Sequence, residues 1–228
     1  MAVAVGLVAV MASTASAQWH ATAIGVAEVD TKETLLLLGG LSASPGGKGI
    51  SPSIGLQAYH IGYDGGTSRT NVFTVKPYAG LANNYDGGSV HANLGYAFSN
   101  KSGISGLNVS GADAGEGVVL AGGWDQWGTG SPWGQQILGS YNFGSESFWG
   151  RGRLSKRITP SGASQRRLGG EVAYLNGKGY SAVQPGAVLE FHNGRGSILG
   201  VGAGMKFFGN SGGNAVYFKV EGVVPVAR

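Results

Sequence analysis

Ala215-Val216-Tyr217-Phe218-Lys219-Val220-Glu221-Gly222-Val223 alternates in a way that decides the fold. Successive residues of a strand point to opposite faces. Val216, Phe218 and Val220 therefore share one apolar face, while Tyr217, Lys219 and Glu221 share the other. A soluble sheet would bury the first face and wet the second. A membrane barrel does the reverse, with apolar side chains on lipid and polar ones in the lumen. The same division runs back through the preceding segments. Trp149, Arg151, Arg153 and Arg157 share a face, as do Arg167 and Glu171, then Gln184, Glu190 and His192, and then Lys206. Phe148 and Leu154, Leu168 and Val172, Leu189 and Phe191, and Val201 and Met205 fall on the opposite one. The charged face mixes signs, so its members can pair across antiparallel strands.

The N-terminus and the glycine content choose between the two environments. Residues 1–17 are apolar and end in Ala15-Ser16-Ala17, a small-residue cleavage pattern, although no positive n-region precedes them. They are expected to be a secretory signal peptide, leaving 18–228 as one barrel domain. The other apolar run, Leu35 to Leu38, stops at Gly39-Gly40, far short of a transmembrane helix. A chain of this kind can cross a membrane only as a closed barrel, because nothing else built of strands satisfies its backbone there. The expected location is the bacterial outer membrane, with outer-membrane lipid as partner.

Composition narrows the classes further. Glycine supplies 44 of 228 residues, against a usual ~7 %. Hydrophobic residues still make up 42 % and charged ones only 12 %, which argues against disorder. Glycine instead marks the bends and close backbone approaches of a small curved barrel. Cysteine is absent, which excludes disulfides and thiolate metal sites. The net charge of +4 is spread along the chain, with one concentration between Arg151 and Arg167. No basic face with stacking aromatics marks a nucleic-acid partner.

Turn chemistry divides the chain into strands over 19–30, 32–43, 50–62, 70–82, 85–98, 117–126, 133–144, 147–158, 164–175, 179–192, 197–208 and 214–225. Asp86-Gly87-Gly88, Asn176-Gly177 and Asn193-Gly194-Arg195-Gly196 are hairpin signals. Only Ser99 to Gly117 reads as a long connection, which an outer-membrane barrel would place outside. The expected fold is all-β: a single up-and-down antiparallel transmembrane β-barrel of about 10–12 strands. Arg151, Arg153, Arg157, Arg167, Glu171, Glu190, Lys206, Lys219 and Glu221 are expected to line its lumen. Trp124, Trp127, Trp133 and Trp149 lie near predicted strand ends and are expected in an aromatic girdle. Core packing and a sugar-stacking platform are the alternatives for these tryptophans.

No residue is assigned a catalytic role, no metal site is expected and no cofactor is implied. His20, His60, His91 and His192 are scattered without ligand spacing. His91 has Ser89 and Asn93 as same-face neighbours, which resembles, in residue type only, the arrangement in outer-membrane phospholipases. Gly200-Val-Gly-Ala-Gly204 lacks the following helix that a nucleotide-binding loop needs. Glu171 and Glu190 could approach as a glycosidase pair, but the arginines around them favour structural ion pairs.

Arg167-Leu-Gly-Gly-Glu171, Asn176, Tyr180, Gly186, Gly200-Val-Gly-Ala-Gly204 and Tyr217-Phe-Lys-Val-Glu221 resemble the outer-membrane barrel family tied to cellulose biosynthesis, BcsS. Pro77-Tyr-Ala-Gly-Leu81 and Leu94-Gly-Tyr-Ala97 are similar in flavour. Two departures stand out: Gln184-Pro185 where the family often has an arginine, and an end in Val-Pro-Val-Ala-Arg228 instead of an aromatic residue. The resemblance implies a non-enzymatic role in exopolysaccharide secretion or cell-surface organisation, with polysaccharide or secretion machinery as partners. A small passive channel favouring anions and a lipid-modifying hydrolase using His91 are the alternative functions.

Overall fold

The computed structural model describes residues 19–64, 69–102, 115–127, 131–160, 164–178, 180–209 and 213–227. The expected signal peptide and most of the long connection lie outside these. Twelve strands follow one another: β1 Trp19–Asp30, β2 Leu35–Pro45, β3 Gly49–Asp64, β4 Arg69–Tyr85, β5 Gly88–Ser102, β6 Gly117–Gln126, β7 Trp133–Asn142, β8 Ser147–Arg157, β9 Gln165–Gly177, β10 Tyr180–His192, β11 Ile198–Phe208 and β12 Asn214–Ala227. Each pairs antiparallel with its sequence neighbours, and β1 pairs β12 to close the barrel. Among the described residues closure leaves no edge strand. The all-β, up-and-down reading holds, with the strand number at twelve.

Local chemistry sets the turns. Asp30 Oδ1 accepts hydrogen bonds from the Lys32 and Thr34 amides (2.9 and 3.0 Å). That turn delays β2 to Leu35, later than the predicted 32. Gly39 and Gly40 do not end β2, because both are held in the ladder by β1 and β3. Asp86 and Gly87 alone join β4 to β5, with Gly87 at φ 82°, a conformation that costs glycine nothing. Trp19, which opens β1, and Ala227, which closes β12, fall at one end of the barrel, the terminal end. The connection between β5 and β6 leaves from the opposite end.

Side chains alternate between the two surfaces, apart from a register shift between β1 and β12 at Ala21 and Thr22. Val216, Phe218 and Val220 are exposed on the outside, while Ala215, Tyr217, Lys219 and Glu221 are buried within. In β5, Val90, Leu94, Tyr96 and Phe98 point out and Ala97 is buried inside. The outer surface carries Leu37, Leu56, Leu81, Leu94, Leu120, Ile137, Leu154, Leu168 and Val201, all exposed. Water would not tolerate so continuous an apolar surface, and a bilayer core requires one. Toward the end opposite the termini it is bordered by Phe73, Phe98, Tyr141, Phe143, Phe148, Tyr174 and Phe207. Tyr141 and Phe143 meet edge to face at 4.9 Å.

Leu94 lies in the middle of β5, paired with Ala79 and Leu120. Leu94→Arg is expected to lower the stability of the barrel in phospholipid bilayers by about 2–4 kcal/mol, read from its urea midpoint. An unchanged midpoint would mean that this face meets water.

Candidate functional site

β8 delivers the inner charges. Its small outward residues Gly150 and Gly152 alternate with inward Arg151 and Arg153. Arg153 Nη2 lies 2.6 Å from Glu171 on β9, and its Nη1 lies 2.9 Å from Glu190 on β10. It also pairs with Glu221 on β12, across the lumen. Arg151 donates to Glu221 (2.9 Å) and to the Gln136 side-chain oxygen (2.6 Å). Lys219 pairs with Glu171 and stands 3.7 Å from Glu221. Ser155 donates to Glu190 at 3.0 Å, and His192 Nε2 is 3.3 Å from the same carboxylate. Buried charges persist only when paired and hydrogen-bonded, and this network supplies both, apart from the Arg151 Nε, which is buried without a hydrogen-bond partner. Glu171 and Glu190 share Arg153 between them, an ion-pair arrangement.

Glycines make room for it. Tyr217 on β12 lies across the inner faces of Gly204 and Gly186, and its hydroxyl reaches Glu171 at 3.4 Å. A Cβ on either glycine would collide with the ring or hydroxyl. Gly200 and Gly202 likewise face Glu221 and Lys219. The Gly200-Val-Gly-Ala-Gly204 run is thus a strand whose inner side is kept bare for the side chains of β12. Tyr78 repeats the device on the far wall, lying over Gly55.

A second cluster joins strands from the two ends of the chain. Lys206 on β11 is 2.8 Å from Glu28 and 2.8 Å from Asp30, both on β1, and Gln184 donates to Glu28 at 3.2 Å. Sequence reasoning places Lys206 in the lumen but misses its partners. Their signal is Glu28-Val-Asp30, two acids at strand spacing. The pairing with β11 requires barrel closure, which juxtaposes β1 and β12.

The lumen is divided. Toward the terminal end its β8–β10 side is packed: Arg167, Glu190 and Ser155 are each 0 % exposed. Trp127 lies over this side, 5.5 Å from the His192 ring and 6.0 Å from the Arg167 guanidinium. Arg167 Nη1 donates to the Pro132 carbonyl at 3.3 Å. Arg157, half-buried, is opposite Arg167 in register. From mid-barrel toward the other end runs a cavity of about 500 Å³. Arg151, Glu171, Lys206 and Lys219 line it, with Tyr59, Tyr78, Tyr180 and Tyr217.

The tryptophans part company. Trp124 is on the outer face, its indole N–H donating to the Tyr85 hydroxyl. Trp133 is exposed, with the Lys156 ammonium 5.6 Å from its ring. Trp149 and Trp127 correct the girdle expectation. Trp149 shares the parity of Arg151 and lines the cavity. Trp127 follows the last residue of β6 and turns over the lumen. Phenylalanine and tyrosine, not tryptophan, form most of the outer aromatic border.

At the His91 position, Ser89 donates its hydroxyl to Asp125 at 2.7 Å, and Asn93 accepts from Ser53 at 2.7 Å. A serine nucleophile would instead need its proton directed at the histidine.

In sequence the chain matches no family profile and no curated protein. In structure it is similar to an outer-membrane channel from Pseudomonas putida F1, with a TM-score of 0.55 at 11 % identity, covering 92 % of this chain and 95 % of that one. It is also similar to the KdgM porin, with a TM-score of 0.50 at 10 % identity, covering 89 % of this chain and 98 % of that one. At these identities the likeness is one of fold.

Proposed function

We propose that this protein is a non-enzymatic β-barrel of the bacterial outer membrane that supports the secretion or surface organisation of a cellulose-type exopolysaccharide. The observation that carries the reading is the packed β8–β10 side of the lumen. Buried Arg153, Arg167 and Glu190 occupy one side of the section that a conduit would keep open, and Arg153 crosses it to Glu221, which favours a supporting role over passage through the barrel. The resemblance of the β9–β12 segments to the cellulose-linked barrels supplies the polysaccharide. Deleting the gene in its native host is expected to reduce extracellular cellulose-type polymer, with recovery on complementation. Unchanged polymer would overturn the reading.

The second reading is a small passive channel, favoured by the cavity of about 500 Å³. The purified barrel in a planar bilayer is expected to show no steady single-channel conductance. Stable conductance, reduced by Arg151→Glu, would favour the channel instead.

A further inference from the structure

Inward residues of a water-filled barrel are polar, yet one wall of this cavity is not. Ile24 and Val26 of β1, Leu36 and Leu38 of β2, and Ile61 of β3 all line it. Leu138 and Leu175 add apolar surface from β7 and β9. Eight other lining residues are ionic, and the cations, Lys32, Lys76, Arg151, Lys206 and Lys219, outnumber the carboxylates, Glu28, Asp30 and Glu171, so the lining keeps a net positive charge although Arg151, Lys206 and Lys219 are each ion-paired. The volume of about 500 Å³ falls within the ~300–1,000 Å³ of small-molecule sites. An apolar wall in a cavity of net positive charge matches a molecule with both characters.

We propose that the cavity binds a single-chain anionic amphiphile, its alkyl body against Val26, Leu36, Leu38 and Ile61 and its anionic head toward the lysines and Arg151. Such a ligand would occupy the cavity whatever the barrel's part in polysaccharide secretion. A neutral alcohol of the same chain would gain the apolar contacts without the charge attraction. An alkylamine would meet like charge.

The test is equilibrium dialysis of radiolabelled dodecanoate against the full barrel held in amphipol, which avoids competing detergent. Saturable binding near one molecule per barrel is expected, at least tenfold tighter than dodecanol or dodecylamine. Leu38→Asp is expected to weaken dodecanoate at least tenfold, while Lys76→Gln should narrow the preference over dodecanol. Heat-modifiable migration verifies that each variant is folded; if Leu38→Asp fails this check, Leu36→Asn replaces it. Non-saturable uptake, or binding indifferent to these substitutions in folded variants, would overturn the proposal.

Discussion

Arg153→Met is expected to destabilise the barrel by about 3–5 kcal/mol, the usual cost of removing one partner from a buried ion pair. Arg153 is the group on which Glu171, Glu190 and Glu221 converge. The three carboxylates do not lose equally. Glu171 keeps Lys219, and Glu221 keeps Arg151. Glu190 is left hydrogen-bonded to His192 and the Ser155 hydroxyl, with only the more distant charge of Arg167 to offset its own, and its side chain is wholly buried. The penalty should therefore concentrate there, and adding Glu190→Gln should recover part of it. Arg157→Met, at the half-buried rim, should cost only about 0–1 kcal/mol. Urea unfolding of the refolded barrel measures all three variants. Equal midpoints for Arg153→Met and the wild type would show that the network contributes nothing.

The alternation of β12 makes the two surfaces legible, because a period of two follows from strand geometry alone. It does not show which charges meet. Arg153 on β8 and Glu221 on β12 belong to strands that are not neighbours in the sheet, and their contact exists only because the wall curves closed. Trp149 reads as a girdle residue when its place near a strand end is weighed above its parity with Arg151; the parity is the better guide. Trp127 lies just beyond β6, where alternation no longer applies. The apolar inner wall is partly visible, since Leu36 and Leu38 share a parity, but a leucine run hides which members turn inward.

Gly204→Leu is expected to prevent folding, whereas Ala203→Leu, one residue away, should be tolerated. The two substitutions add side-chain volume to opposite surfaces. Ala203 is exposed on the outer face, where a leucine meets lipid. A Cβ on Gly204 would collide with the Pro185 carbonyl and lie 2.6 Å from the Gly186 Cα and 2.8 Å from the Tyr217 ring. Two of those neighbours are backbone, so the collision cannot be relieved by a side-chain rotation. A collision with backbone costs more than the about 1–3 kcal/mol usual for an overpacked core. Trimming Tyr217 to alanine should therefore not rescue Gly204→Leu. Gly186→Ala differs, since its nearest obstacle is the Tyr217 hydroxyl; adding Tyr217→Phe should restore some of its stability. Heat-modifiable migration and urea midpoints distinguish these outcomes, and a folded Gly204→Leu barrel would show that the inner side of the Gly200–Gly204 stretch need not be bare.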